Sequence, residues 1–208
     1  VSPVTINGTT PTLTIGDAGA EDAKIVFDGN AQDYHIGLDD STDSLTIGKG
    51  SALGTTTSMV IDANGIITKP LQPAFLANPA SEQSNIAVGG GETTVVFGTE
   101  RFDRGGNFAS NVFTAPVEGL YSFQSMLRLH NIDSASSYYY IHILTSNRVY
   151  QYIFDPDFGQ DNGYFEVTLA ALADMDASDT AKVIIYQGSG TSQTDIAVSS
   201  HFSGFLAC

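Results

Sequence analysis

The sequence predicts an all-β protein in two parts, an amino-terminal β-module followed by a larger β-sandwich. The chain is rich in Gly, Ser and Thr, with 21 Gly among its 208 residues. Short runs of β-branched and aromatic residues alternate with polar turn sequences, which is typical of strands joined by tight turns. Large apolar residues become more frequent after residues 69–73, which contain two prolines. This change predicts a domain boundary there.

The composition argues against several classes of function. A formal net charge of −15 repels phosphate backbones and anionic lipids, so neither nucleic acid nor a membrane is an expected partner. No apolar run approaches the roughly 20 residues that a spanning helix needs. The single cysteine, Cys208, excludes an intrachain disulfide framework and a cysteine-based zinc cluster. Val1 follows neither a Met nor a signal-like segment, so we expect a fragment of a longer polypeptide.

Residues 1–69 repeat a short phrase. Thr-Leu-Thr-Ile-Gly at 12–16 returns as Ser-Leu-Thr-Ile-Gly at 44–48, and Ser-Met-Val-Ile-Asp at 58–62 is a weaker copy. We interpret each copy as a strand, with further short strands at 23–30 and 34–38. Asp28-Gly29 and Asn64-Gly65 indicate tight turns, because these residues tolerate positive φ.

Each of these strands offers only two or three apolar side chains on one face. Roughly 65 residues with so little apolar surface cannot bury a core within one chain. We therefore predict that residues 1–69 form a trimeric fibrous β-module completed by identical neighbours. A small monomeric β-sandwich is the alternative.

Residues 70–208 are expected to form the second domain. Pro70 and Pro73 fix φ and remove hydrogen-bond donors, which makes 69–73 a short, stiff connector. Beyond it, strand-like runs alternate with loops rich in Gly, Asp, Asn and Ser, a spacing that describes an antiparallel sandwich long enough to bury its own core. The predicted runs are 74–77, 93–97, 113–116, 120–130, 138–144, 148–154, 164–169, 182–187 and 196–206. We interpret 169–175 as a strand end followed by a loop, because four Asp and Ser side chains at 174–179 compete with helical bonds.

The second domain resembles the C1q-like domain, a jelly roll shared with the tumour necrosis factor superfamily. Its most specific segment is 113–123, Phe-Thr-Ala-Pro-Val-Glu-Gly-Leu-Tyr-Ser-Phe, which matches the family pattern of Phe, five residues, then Gly-x-Tyr-x-Phe. Residues 73–77 and 200–206 are similar to the opening and closing strands. The resemblance implies a homotrimeric jelly-roll β-sandwich. No Gly-X-Y collagen repeat precedes it, which argues against a complement or adipokine role.

The first part resembles the repetitive shaft modules of bacteriophage tail fibres and tail spikes. The phrases that carry this resemblance are Glu-Asp-Ala-Lys-Ile-Val-Phe-Asp-Gly-Asn at 21–30 and Asp-Tyr-His-Ile-Gly-Leu-Asp-Asp at 33–40. In such fibres a distal β-sandwich knob commonly binds the host surface. The resemblance therefore implies that 1–69 is a shaft or neck module and that 70–208 is the knob.

Two aromatic strands, 138–144 and 149–154, carry more rings than one core face needs. Alternation assigns Tyr139, Ile141 and Ile143 to the core. It leaves a second face, for which we expect a partner; that face comprises Tyr138, Tyr140, His142, Leu144, Tyr150, Tyr152 and Phe154. Contact between subunits of a trimer is the favoured interpretation, since large apolar patches mark interfaces. A glycan-stacking surface is the alternative.

Loops at one end of a sandwich commonly carry binding residues. We expect the contacts in loops 131–137, 155–163 and 188–194, and the candidate binding residues are Tyr138, Phe158, Asp133 and Gln193. Oxygen ligands at alternate positions of 155–163 suit calcium, so Asp155, Asp157 and Asp161 are candidate metal ligands. A solvated acidic loop is the alternative, and no other cofactor is expected.

No catalytic motif stands out. The four histidines are scattered, and the sequence contains no HExxH, GxSxG, P-loop or dinucleotide fingerprint. We therefore expect a non-enzymatic adhesin: the tip of a phage tail fibre, located in the virion, that binds a glycan or outer-membrane protein of a bacterial host. The alternatives are a secreted C1q- or TNF-like ligand for a protein receptor, a glycan-cleaving tail spike, and a knob that only registers trimer assembly.

Overall fold

The computed structural model describes residues 3–208, and in this range the chain forms strands, turns and loops but no helix. No helix among these residues could therefore cross a membrane. The chain divides into two compact units, of which the first ends at Leu71 and the second comprises Gln72–Cys208. The assignment of these units to a fibre shaft and its knob stays a prediction.

The first unit contains one antiparallel sheet in which strands follow each other in chain order. Its strands are β1 Ala23–Phe27, β2 Tyr34–Asp39, β3 Ser44–Lys49, β4 Thr57–Ile61 and β5 Ile67–Thr68. The repeated phrases at 44–48 and 58–62 lie in β3 and β4. The prediction of a strand at 12–16 is wrong, because this segment is exposed and pairs with no neighbouring strand.

One face of this sheet is apolar, and most of it is exposed. Directly paired residues share a face, and the pairs Ile25–Ile36, Ile36–Ile47 and Leu38–Leu45 connect the three neighbouring strands β1, β2 and β3. We call this surface the apolar face of the amino-terminal sheet; it comprises Ile25, Phe27, Tyr34, Ile36, Leu38, Leu45, Ile47, Met59, Ile61 and Ile67. Seven of these ten side chains are exposed, and the other three are half-buried.

The opposite face is polar or small in its central strands, β2 and β3, and is buried there. It presents His35, Asp39, Ser44 and Thr46, all of which are at most 9 % exposed. Residues 50–56 fold over this part of the face: the Gly50 carbonyl lies 2.9 Å from His35 Nδ1, and the Thr56 carbonyl accepts from the Lys49 N–H at 3.0 Å. The central strands thus bury their polar side chains and expose most of their apolar ones.

The second unit is a sandwich of two antiparallel sheets. Its strands are β6 Ala74–Asn78, β7 Thr93–Thr94, β8 Thr99–Arg104, β9 Phe108–Ala109, β10 Val112–Thr114, β11 Gly119–Ile132, β12 Tyr139–Thr145, β13 Val149–Phe154, β14 Asn162–Met175, β15 Thr180–Gln187, β16 Asp195–Ile196 and β17 His201–Leu206. One sheet, here called the β12 sheet, has the order β13-β12-β15-β10-β9, with β7 beside β15. The other, the β11 sheet, has the order β14-β11-β17-β6-β8, with β16 beside β11.

Successive strands cross repeatedly from one sheet to the other, which is the connectivity of a jelly roll. Strand β10 is in the β12 sheet, and β11 is in the β11 sheet. Strands β12 and β13 are again in the β12 sheet, β14 is in the β11 sheet, and β15 is in the β12 sheet. The prediction of an all-β chain with a jelly-roll sandwich in its second part is confirmed by this strand order.

The signature segment 113–123 builds the centre of the sandwich. Phe113, Tyr121 and Phe123 are at most 1 % exposed, and Phe113 stacks on Phe75 at 5.1 Å between ring centroids. Gly119 is required by close packing, since a Cβ there would lie 2.6 Å from Leu206 Cδ1. These residues therefore serve the packing of the core.

Two expectations about strands need correction. Strand β14 continues to Met175, because every residue of 169–175 pairs with β11, so the predicted loop is wrong. Tyr150, Tyr152 and Phe154 do not share a face with Tyr140 and His142, because they pair with Ile143, Ile141 and Tyr139. Tyr150 and Phe154 pack against the core, while Tyr152 remains exposed. Alternation alone could not fix this, because the register of β13 decides which of its faces points inward.

Candidate functional site

Three loops of the jelly roll meet at the end opposite Pro73, where the chain enters the sandwich. Ala74 pairs with Phe205, and Leu206 pairs with Tyr121 near the start of β11. The other end of β11, Ile132, pairs with Asn162. Loops 133–138, 155–161 and 188–194 extend from that far end, so the three predicted binding loops lie near one another.

Asp133 joins two of these loops from below. It is fully buried; its Oδ2 accepts from the N–H groups of Thr191 (2.5 Å) and Ser192 (2.7 Å), and its Oδ1 accepts from Ala135 N–H at 2.9 Å. Gly190 is needed here because a Cβ would collide with Asp133 Oδ2. The sequence suggested Asp133 as a contact for the ligand, but the structure places it beneath the loops, where it positions them.

Burial and hydrogen bonding act on this carboxyl group in opposite directions. Burial raises the pKa of Asp133, but the bonds from the N–H groups of Ser192, Ala135 and Thr191 outweigh it, and the net pKa is lowered below its ordinary value. The carboxylate is therefore ionised at neutral pH, and a charged acceptor makes stronger hydrogen bonds than a neutral one.

A buried polar network continues below the loops. The Asp133 N–H donates to the Tyr139 hydroxyl at 3.1 Å, and that hydroxyl lies 2.7 Å from Thr194 Oγ1. Gln187 spans the 188–194 loop, since its Nε2 donates to the Ser192 carbonyl (2.7 Å) and its Oε1 accepts from Thr194 N–H (3.1 Å). Burial raises the pKa of Tyr139. Such a fully connected network holds the loops in one arrangement.

The third loop is attached through Ser134. Its N–H and its hydroxyl both donate to Asp161 Oδ1, at 2.9 and 2.8 Å. The three loops are thereby connected by side chains as well as by proximity.

A polar pocket of about 430 Å³ opens between these loops. It is lined by Asn131, Asp161, Asn162, Gly163, Ser192 and Gln193. Two of the predicted site residues, Asp161 and Gln193, are thus brought together. Concave sites with a few convergent polar groups are the usual form of ligand sites, so this pocket is the candidate binding site.

The other predicted residues lie elsewhere. Phe158 is exposed on the 155–161 loop and contacts Phe165 at 5.5 Å between centroids. Tyr138 belongs to a row of rings on the outer face of the β12 sheet, where it lies 5.6 Å from Tyr186. Neither lines the pocket.

The predicted calcium ligands do not form a cluster. Asp155 accepts the Asp157 N–H at 3.0 Å, while Asp161 is engaged by Ser134. Across residues 3–208, no three His, Cys, Asp or Glu side chains converge as a metal site would require. Calcium binding stays a prediction without an assembled set of carboxylates.

The row of rings on the β12 sheet has its own chemistry. Tyr140 stacks on Tyr186 (4.8 Å) and on His142 (4.4 Å), and its hydroxyl donates to Glu92 Oε1 at 3.3 Å. His142 is only 8 % exposed, and burial lowers its pKa, although the Glu92 carboxylate acts in the opposite direction. The rings stack on one another, so their faces are largely covered by their neighbours.

The structure adds residues that the sequence argument did not single out. Asn131 has a φ of 56°, a left-handed conformation that Asn tolerates, and it directs the end of β11 into the pocket. Tyr164 is 69 % exposed on β14, one residue beyond Gly163 of the pocket lining. In the sequence, these two residues are marked only by an Asn at the end of a strand-like run and by a Tyr directly after a glycine.

The chain matches no protein-family model and no curated protein sequence. Among solved structures it is similar to the globular domain of zebrafish complement 1qA protein, at 16 % identity over 66 % of this chain and 98 % of that one, with a TM-score of 0.47. It is also similar to murine APRIL at pH 8.5, at 12 % identity over 65 % of this chain and 98 % of that one, with a TM-score of 0.45. At this level of similarity, the fold assignment depends on the strand order described above.

Proposed function

We propose that the chain is the receptor-binding tip of a bacteriophage tail fibre, a non-enzymatic homotrimeric adhesin that recognises a molecule on a bacterial surface. In this proposal the first unit is the shaft or neck, the jelly roll is the knob, and the protein is located at the distal end of the fibre in the virion. The observation that carries it is the exposed apolar face of the amino-terminal sheet.

A single chain does not bury that face. Each fully buried Ile, Leu or Phe side chain contributes about 1.5–3 kcal/mol to folding or association. Seven exposed apolar or aromatic side chains on one face, with three more half-buried, form a contiguous apolar patch of the kind that marks an interface. Association of identical sheets around an axis would bury these side chains from all copies at once, which is the arrangement of a fibrous shaft.

The jelly roll also exposes an apolar surface, on the outer side of the β11 sheet. Leu120, Leu172 and Phe205 are exposed there, and a groove of about 310 Å³ passes between Phe102 and Phe205. This surface is a second candidate for contact between copies. The two surfaces lie on different units, and each of them independently favours self-association.

Trimerisation would serve attachment because it repeats the loop pocket three times. Linked sites bind a multivalent surface with an effective affinity well above that of one site. The pocket lies on loops held by Asp133, Tyr139 and Ser134, at the end of the jelly roll away from Pro73.

Two measurements on the full chain test the proposal. Light scattering is expected to give three times the chain mass of 22.0 kDa. The labelled protein is expected to adsorb to a subset of strains in a panel of bacteria. A monomer at micromolar concentration, or the absence of adsorption to every strain, would contradict it.

A secreted ligand for a protein receptor is the second candidate, and the jelly-roll connectivity favours it. The same labelled protein distinguishes the two. Saturable binding to animal cells without adsorption to bacteria would support the ligand.

A further inference from the structure

The loop pocket has hydrogen-bond acceptors that the protein itself does not use. Asn131 directs its Nδ2 to Asp195 Oδ2 (2.9 Å), and Gln193 directs its Nε2 to the carbonyls of Asn85 and Ile86 (3.3 and 3.4 Å). Carboxylates and carbonyls only accept, so these amide groups must present nitrogen to them. The Asn131 Oδ1 and the Gln193 Oε1 are then left as acceptors.

Asp161 adds a third acceptor of the same kind. The bonds from Ser134 reach only its Oδ1, so Oδ2 has no partner among the hydrogen bonds of residues 3–208. Asn162 and Ser192, which also line the pocket, each offer both donors and acceptors. A lining with more acceptors than donors binds groups that donate, such as hydroxyls.

Tyr164 provides an aromatic surface beside this lining. It alternates with Asn162 along β14, so the two side chains leave the strand on the same side. The Arg128 guanidinium lies over the Tyr164 ring at 5.3 Å, and His130 meets it edge-on at 5.0 Å. Arg128 therefore lies over one face of the ring, while the side chain as a whole remains 69 % exposed.

Charge limits the ligand further. Asp161 lies in the pocket, Asp195 lies beside Asn131, and the whole chain has a net charge of −15. Anionic groups such as uronates or phosphates would be repelled. A volume of about 430 Å³ suits a small cyclic ligand better than a protein side-chain cluster.

We propose that this pocket binds an uncharged, hydroxyl-rich saccharide, whose hydroxyls donate to Asn131, Asp161 and Gln193 while one sugar ring packs on Tyr164. This inference rests on the proposed function, because it names the chemical class of the receptor. It replaces Tyr138 and Phe158 with Tyr164 as the stacking residue.

The test uses the full chain on an immobilised panel of neutral hexose and N-acetylhexosamine oligosaccharides, with uronic-acid and phosphorylated oligosaccharides as anionic controls. We expect saturable binding to a neutral member of the panel. Tyr164→Ala and Gln193→Ala should each weaken it roughly tenfold, the loss expected from one packed ring or one hydrogen bond with its neighbours. Tyr164→Phe should bind nearly as well as the unsubstituted chain.

Two matched variants control for general effects. Tyr152→Ala removes another exposed tyrosine and Gln151→Ala another exposed glutamine, both on β13 and away from the pocket lining. Neither should change binding. Circular dichroism and light scattering on every variant exclude loss of fold or of assembly as the cause.

Adsorption to bacterial strains separates this inference from the proposed function. Loss of adsorption after periodate treatment of the cells, with retention after protease treatment, supports a saccharide. The reverse pattern overturns the saccharide while the adhesin stands, since the receptor is then a protein. Binding only to anionic oligosaccharides overturns the neutral class, and binding to no strain and no oligosaccharide overturns both proposals.

Discussion

The two units of this chain orient their apolar side chains in opposite ways. In the jelly roll, Phe75, Phe113 and Tyr121 point between two sheets and are almost fully buried. In the amino-terminal sheet, Ile25 and its neighbours on the apolar face are exposed, while the polar face is covered by residues 50–56. Both units are built from antiparallel strands, so the type of secondary structure does not explain the difference.

The two units differ in whether the same chain supplies a second layer that covers the apolar face of the sheet. The β11 and β12 sheets belong to the same chain and cover each other, so the sandwich needs no other molecule to bury its core. The amino-terminal sheet has only a polar cover of its own. We therefore expect its stability to depend on protein concentration, as it does for obligate oligomers, and the stability of the jelly roll to depend much less on it.

The largest expected effect is loss of assembly on introducing a charge into the apolar face. Ile25→Asp should lower the mass of the proposed trimer towards that of a single chain, 22.0 kDa, because a carboxylate buried at a contact between copies would lack a partner. Light scattering measures the mass.

Val26→Asp is the matched control, since Val26 is the next residue of β1 and lies on the other face of the sheet. It should remain trimeric. Equal behaviour of the two variants would show that the apolar face is not the contact surface.

A large truncation in the jelly-roll core is the next largest effect. Phe75→Ala removes a buried ring that stacks on Phe108 and Phe113, and it should lower the free energy of unfolding by about 3–5 kcal/mol. Chemical denaturation followed by circular dichroism measures this loss at several protein concentrations.

The comparison with Phe27 sharpens the contrast between the units. Phe27→Ala, on the apolar face, should weaken the contact between copies. It should therefore raise the protein concentration below which the first unit unfolds. The free energy of unfolding lost in Phe75→Ala should be the same at every protein concentration. A strong concentration dependence for Phe75→Ala would mean that the jelly roll also requires assembly.

The loop end should lose a moderate amount of stability when Asp133 is changed. Asp133→Asn leaves the Thr191 and Ser192 N–H groups facing an amide that cannot accept as many bonds, at a cost of about 1–3 kcal/mol. Hydrogen exchange of the Thr191 and Ser192 amides reports this change locally. Asp155→Asn, on an exposed loop, should have little effect.

The same residue predicts a dependence on pH. Because the pKa of Asp133 is lowered in the folded state, its contribution is present above the unfolded pKa of about 3.9 and is lost as the pH falls through the folded pKa. Protection of these amides should therefore hold from pH 7 to about pH 5 and decline below about pH 4. Asp133→Asn should remove this decline.

The smallest effect concerns His142 on the outer face of the β12 sheet. Burial lowers its pKa, so the neutral ring is favoured in the folded state; this contribution is present above the unfolded pKa of about 6.5 and is lost as the pH falls through the folded pKa. Its ring protons should titrate below the usual range in an NMR titration. A His142→Gln variant should lose less stability below pH 6.5, and an ordinary or raised pKa would contradict the burial seen here.

The residues that could be predicted from the sequence are those whose role is local. The signature aromatics Phe113, Tyr121 and Phe123 alternate with polar residues, and all three lie in the core. A Cβ on Gly119 would lie 2.8 Å from the backbone carbonyl oxygen of Cys208, so glycine is needed at the start of β11. The three loops at the far end of the jelly roll were recognisable by their Gly, Asp and Ser content.

Features that depend on which strands and loops come together could not be predicted from local sequence. Residues 12–16 have nearly the same sequence as 44–48, yet only the second copy has strand neighbours. The inward direction of Tyr150 and Phe154 follows from the register of β13 against β12. The pocket combines residues from two loops with the ends of β11 and β14. Asp133 is withdrawn from the surface by bonds to residues about 58 positions away.

The jelly roll begins and ends on the same side. The Leu206 N–H donates to the Pro73 carbonyl at 3.1 Å, and the Leu120 N–H donates to the carbonyl of Cys208, whose thiol is the only one in the sequence and is exposed. A maleimide tether on Cys208 would thus orient every molecule on a biosensor chip with the loops at the far end of the jelly roll facing the analyte.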